Sequence, residues 1–143
     1  MKRLMTNMIA AAALVAAAGI ASAQTMEGKI PFAFRAGSRE FPAGTYRVKL
    51  TTSNSGNSLI FITGAPAAKN LLAYTYRDGY AKTAWIDADR GVLVFRCAEE
   101  RCTLSNVWMP GAGEQVFRVP APAPRKDAPI SVAEVVLRPI KAD

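Results

Sequence analysis

The sequence predicts an all-β domain, an antiparallel β-sandwich or partly closed barrel of about seven to nine short strands, behind an N-terminal signal peptide. Apolar and polar residues alternate in successive short segments, the two-residue period of a half-buried strand. Turn dipeptides and Pro/Gly clusters separate those segments at short intervals. No helical period of useful length follows Ile20.

The first 23 residues carry the marks of a secretory signal. Met1-Lys2-Arg3 is a positive start, Met8 to Ile20 is almost wholly Ala, Leu, Val and Ile, and Ala21-Ser22-Ala23 is a small-residue cleavage site. Cleavage between Ala23 and Gln24 leaves 120 of the 143 residues, 24–143, as a single domain. The apolar run is shorter than the roughly 20 residues an anchor needs. No second run exists, so no transmembrane segment is expected after signal removal. The expected location is periplasmic or secreted.

Lys29 to Arg35 reads as the first strand, with Ile30, Phe32 and Phe34 on one face. Pro31 lacks an N–H and confines this segment to a sheet edge or a strand start. Phe41-Pro42-Ala43-Gly44 is a turn into Thr45–Leu50, where Tyr46, Val48 and Leu50 share one face. Residues 53–57 form a loop, and Leu59 to Ile62 is a strand apolar on both sides. Asp78-Gly79 suits a two-residue primed turn, which predicts a hairpin of Leu71–Arg77 with Tyr80–Ile86. In that register Leu72, Tyr74, Tyr76 and Trp85 share a greasy face, expected to pack on the core. A second hairpin joins Val92–Cys97 to Cys102–Trp108. Pro110 to Gly113 then turns into Gln115–Val119, residues 120–129 make a Pro-rich loop, and Ile130 to Ile140 supplies the last strand.

Cys97 and Cys102 are the two cysteines, and an exported chain matures where thiols pair. If four residues form the loop, Cys97 faces Cys102, Arg96 faces Thr103 and Phe95 faces Leu104. A disulfide across so short a loop is worth about 2 kcal/mol on the chain-entropy model. A redox role is disfavoured, since the spacing is not Cys-x-x-Cys and no histidine is present to activate a thiolate.

The absence of histidine removes Ser-His and Cys-His nucleophile pairs and His-ligated metals. Asp87-Ala88-Asp89-Arg90-Gly91 resembles an oxygen-rich calcium loop only in outline, lacks the further ligands, and reads as a turn. Glu99 and Glu100 fall at a hairpin tip, where adjacent side chains diverge. No catalytic constellation, cofactor or metal site is expected. The exported chain keeps sixteen basic residues, the eighteen of the full sequence less Lys2 and Arg3, against eleven acidic ones, a net charge of +5. These charges are scattered, as on a solvated surface, and a nucleic-acid partner is not expected of an exported chain. An anionic envelope polymer or a glycan is the expected partner class. Tyr80, on the polar face of the first hairpin, and Trp108 are the candidate ligand-surface aromatics.

Ile30-Pro31-Phe32-Ala33-Phe34 with Gly37, then Phe41-Pro42-Ala43-Gly44-Thr45-Tyr46-Arg47-Val48, resembles the opening of an uncharacterised group of small exported soil-bacterial proteins. That group begins I-P-F-x-F…L-P-A-G-T-Y-x-V, and Phe41 stands where its Leu is usual. Leu93-Val94-Phe95 and Leu104 to Trp108 with Gly111 are similar to a later motif of the same group. The resemblance implies a β-domain and export, and it transfers no active site.

Three functions follow from these readings. The first is a non-catalytic exported module, structural or polymer-binding. The second is a carboxylate-dependent glycan-active enzyme, which needs two carboxyl groups across one cleft. The third is a subunit that assembles through its C-terminal strand.

Overall fold

The computed structural model describes residues 25–52, 58–64, 70–122 and 127–140. The expected signal segment, its Ala23-Gln24 cleavage point and the loop at 53–57 lie outside them. The chain is all-β, as its alternation predicts. In chain order the strands are β1 (Thr25–Ile30), β2 (Phe34–Ala36), β3 (Arg39–Phe41), β4 (Gly44–Thr52), β5 (Ser58–Gly64) and β6 (Asn70–Tyr80). A short helix α1 (Thr83–Ala88) precedes β7 (Val92–Ala98) and β8 (Arg101–Trp108). A 3-10 turn at Pro110–Ala112 leads to β9 (Gln115–Arg118), β10 (Ser131–Val136) and β11 (Arg138–Pro139). Among the described residues the count of eleven exceeds the seven to nine expected because β2, β3 and β11 add three pieces of only two or three residues.

The strands follow the order β10-β7-β8-β9-β6-β5-β4-β1-β11, with β2 joined to β8 and β3 to β2. The β2–β8 pairing is parallel and the other pairings among the described residues are antiparallel. Two layers arise because β6 changes partner along its length. Asn70 to Thr75 pairs with β5, whereas Tyr76 to Tyr80 pairs with β9 across an irregular register. At the opposite side the C-terminal segment bends at Leu137, giving β10 to β7 and β11 to β1. Such strand sharing makes the corners of a sandwich without closing a barrel. Val48, Ile60 and Ile62 from one layer and Leu93, Phe95, Leu104, Val107 and Phe117 from the other are buried in one core.

The first expected strand is divided. Pro31 ends β1, and the chain crosses between layers before resuming as β2, so Ile30 and Phe34 bury in the same core from different layers. The second hairpin forms in the register read from sequence: Cys97 opposite Cys102, Arg96 opposite Thr103, Phe95 opposite Leu104. The cysteines are joined, with S–S 2.04 Å. The connection is tighter than the four-residue loop expected: Ala98 pairs with Arg101, and Glu99 and Glu100, with φ of 51° and 65°, form a two-residue tip.

The Asp78-Gly79 hairpin does not form. β6 runs on through those residues to Tyr80, which pairs with Gln115 of β9, and Thr83–Ala88 is helical. Asp89 closes the helix in the left-handed conformation, its N–H directed to the carbonyls of Ile86 and Trp85. Local turn preference yields here to two longer-range contacts, the β9 pairing and the Trp85 ring stacked 6.5 Å from Trp108. The face assignment of β6 is also inverted. Leu71, Ala73 and Thr75 point inward, because Ala73 and Leu71 oppose the fully buried Ile60 and Ile62. Leu72, Tyr74 and Tyr76 therefore face solvent.

Tyr46 in β4 is buried and donates its hydroxyl proton to the Pro42 carbonyl oxygen. Burial pushes its pKa above the usual 10.0. The unfolded chain thus releases this proton first as pH rises. The stability contributed is complete below pH 10.0 and is lost as pH climbs through the folded value. Denaturant midpoints followed from about pH 8 to about pH 11 should fall more for the native chain than for Tyr46→Phe. Parallel curves would rule this contribution out.

Candidate functional site

The exposed aromatic residues gather where the two layers meet along β6. Strand alternation puts Leu72, Tyr74 and Tyr76 on its outer side, about 6.6 Å apart along the strand. Across the ladder, Phe61 of β5 opposes Leu72 and Leu59 opposes Tyr74, both half-buried. The next strand continues the row with Lys49 opposite Phe61 and Thr51 opposite Leu59. On the other flank Arg118 of β9 opposes Tyr76. The outer face is thus an apolar and aromatic stripe with a Lys on one border and an Arg on the other.

Relative exposure settles which aromatics belong to it: Leu72 is 60 % exposed, Tyr74 72 % and Tyr76 52 %, whereas Trp108 is 2 % exposed. Trp108 is therefore not a surface residue. Its indole N–H donates to the Gly113 carbonyl at 2.9 Å, and Trp85 lies against it. Val92, opposite it in the β7–β8 ladder, is likewise buried outside the main core. Tyr80 is exposed, at the far end of β6 beyond the register irregularity. Sequence reasoning placed Tyr74 and Tyr76 in the core. The signal that could have moved them outward is the strength of the Ile60/Ile62 face of β5, which demands small or aliphatic partners such as Ala73 and Leu71.

Polar anchoring around the stripe is modest and well defined. Asp78 lies 3.8 Å from the Arg118 guanidinium and accepts from the Asn106 amide at 3.1 Å, so Arg118 is held beside Tyr76. Lys82 pairs with Glu134 at 2.9 Å and sits 5.3 Å over the Trp85 ring, fixing α1 to the second layer. The carboxylates weighed for catalysis fall on separate elements. Asp87 and Asp89 end α1, Glu99 and Glu100 tip the β7–β8 hairpin, and Glu114 precedes β9. Among the described residues no group of three or more His, Cys, Asp or Glu side chains is placed to hold a metal ion. No helix among them is long and apolar enough to cross a membrane.

A row of aromatic faces beside aliphatic side chains matches the apolar C–H faces of sugar rings, and phenol hydroxyls at its edge supply hydrogen bonds. Large contiguous exposed apolar patches mark interaction surfaces. Comparison with protein-family models, curated proteins and solved structures finds no match to this chain, so the resemblance to small exported proteins rests on its motif residues alone.

Proposed function

We propose that this protein is an exported, non-catalytic β-module that holds a polysaccharide of the envelope or extracellular space on the outer face of β5 and β6. The exposure of Leu72, Tyr74 and Tyr76 beside Leu59 and Phe61 carries this reading. Their cross-strand pairing leaves more than half of each side chain's surface in water, and burying that surface against sugar rings favours binding. The signal-like leader supports export, and the placement of Asp87 and Asp89, of Glu99 and Glu100, and of Glu114 on separate elements supports binding over carboxylate-dependent hydrolysis.

Affinity electrophoresis of the processed protein in gels cast with a panel of neutral and acidic polysaccharides tests it. One or more polymers should retard the protein. Tyr74→Ala and Tyr76→Ala should each weaken that retention about tenfold, the equivalent of about 1.4 kcal/mol per ring. Both side chains are exposed, so melting temperatures should stay close to that of the native chain. No retardation by any polymer, or variants retarded as strongly as the native chain, overturns the proposal.

A further inference from the structure

A second recessed surface lies on the other layer and shares no residue with the aromatic stripe. Its floor is a row across three neighbouring strands: Arg35 of β2 opposes Thr103 of β8, and Thr103 opposes Arg96 of β7. Directly opposed residues point to the same side of a sheet. Arg101 is two positions before Thr103 on β8 and therefore shares that side. Three guanidinium groups line one cleft of about 270 Å³, with Pro122 and Ile130 as an apolar wall.

Arg101 is a diagonal neighbour of Arg96 on that face and Arg35 lies on the far side of Thr103, so positive charge gathers at the cleft and favours an anion there. Glu40 meets Arg35 at 3.4 Å, and Glu99 also lines the cleft and lowers its net charge. Among the described residues neither Arg96 nor Arg101 forms a salt bridge. The surplus is positive and is carried by forked donors that match a carboxylate two bonds at a time. The wall adds a second requirement. An isolated inorganic anion has no use for Pro122 and Ile130, whereas a ring bearing a carboxylate presents a C–H face to them.

We infer that the Arg35–Arg96–Arg101 cleft is a subsite for the carboxylate of an acidic sugar unit, a uronate of an anionic polysaccharide. The guanidinium groups of Arg96 and Arg101 take the carboxylate, the Thr103 hydroxyl bonds to a ring substituent, and the ring lies along Pro122 and Ile130.

Titration calorimetry with soluble trigalacturonate tests this, with its fully methyl-esterified counterpart and inorganic phosphate as comparison probes. The acid trimer should bind, with affinity that declines as sodium chloride is raised. The double variant Arg96→Gln/Arg101→Gln should lose at least tenfold, Arg96→Lys/Arg101→Lys should fall between, and the ester should not bind. Both arginines are exposed, and melting temperatures of the variants check that the fold is retained. Absence of trimer binding, equal binding of acid and ester, an unaffected Gln variant, or phosphate binding as tightly as the trimer each overturns the inference. The trimer is a separate ligand read on separate variants, so failure here leaves the β5–β6 proposal standing, and failure there leaves this one.

Discussion

Phe95→Ala is expected to lower the unfolding free energy by about 4 kcal/mol, enough to threaten the fold of a chain this size. Phe95 is fully buried in β7, and its ring meets Phe32 edge-on at 5.0 Å and Phe34 at 5.3 Å. Phe34 in turn stacks on Phe41 at 5.2 Å and meets Tyr46 edge-on at 5.2 Å. The rings link β2, β3, β4 and β7, so truncating Phe95 opens a cavity at the point where both layers contribute side chains. Neighbours fixed in a ladder relax poorly into such a space, which puts the cost in the upper part of the usual range. Phe32→Ala, at a half-buried ring outside any strand, should cost distinctly less. Guanidinium unfolding of the two variants checks the ranking, and a Phe95→Ala cost below about 1.5 kcal/mol contradicts it.

The same cluster explains what the recognisable motifs encode. Ile30, Phe32 and Phe34 come from the first motif, Phe41 and Tyr46 from its continuation, and Phe95 from the later one. In the structure these residues are core or packed directly against it. The motif is a packing pattern shared by two layers, and a pattern of that kind can recur in proteins with different binding faces.

The elements legible in the sequence were those whose information is local. The β7–β8 hairpin is readable to the exact pair because two cysteines placed opposite each other across a short connection fix one register. The strand character of β4 follows from period-two alternation, that of β5 from a short run apolar on both sides, and that of β9 from the turn before it. What could not be read was the choice between equivalent local solutions. Asp78-Gly79 is a good turn in isolation, and only the presence of β9 as a partner for Tyr80 lets β6 continue. Alternation along β6 defines two faces without saying which is inside, and the answer lies with Ile60 and Ile62, on the neighbouring strand β5, opposite Ala73 and Leu71. Trp108 looked like a ligand platform because nothing local shows that Trp85, in an unexpected helix, covers it. The arginine cleft was equally hidden: Arg35 is remote in sequence from Arg96 and Arg101, and the parallel β2–β8 pairing brings them together.

Leu137 should give the clearest evidence that the C-terminal segment ties the layers together. Its side chain is fully buried at the bend between β10 and β11, and its N–H donates to the Gly91 carbonyl at 2.7 Å. The slot it fills exists because two neighbours are glycines. A Cβ on Gly28 falls 2.5 Å from Leu137 Cδ2, and a Cβ on Gly91 falls 3.1 Å from Leu137 Cδ1. Leu137→Ala should therefore cost about 3 kcal/mol through lost burial and the cavity left behind. Gly28→Ala alone should also destabilise, by about 2 kcal/mol, since a fully buried leucine cannot swing clear of the added methyl. Gly28 has no positive φ, so its cost is steric and not conformational. In the Leu137→Ala background that obstacle is gone and the new methyl fills part of the vacated space. The double variant should then be at least about 1 kcal/mol more stable than the sum of the single costs requires. Denaturant unfolding of the four proteins measures this coupling, and strict additivity would show that Gly28 and Leu137 do not share the slot.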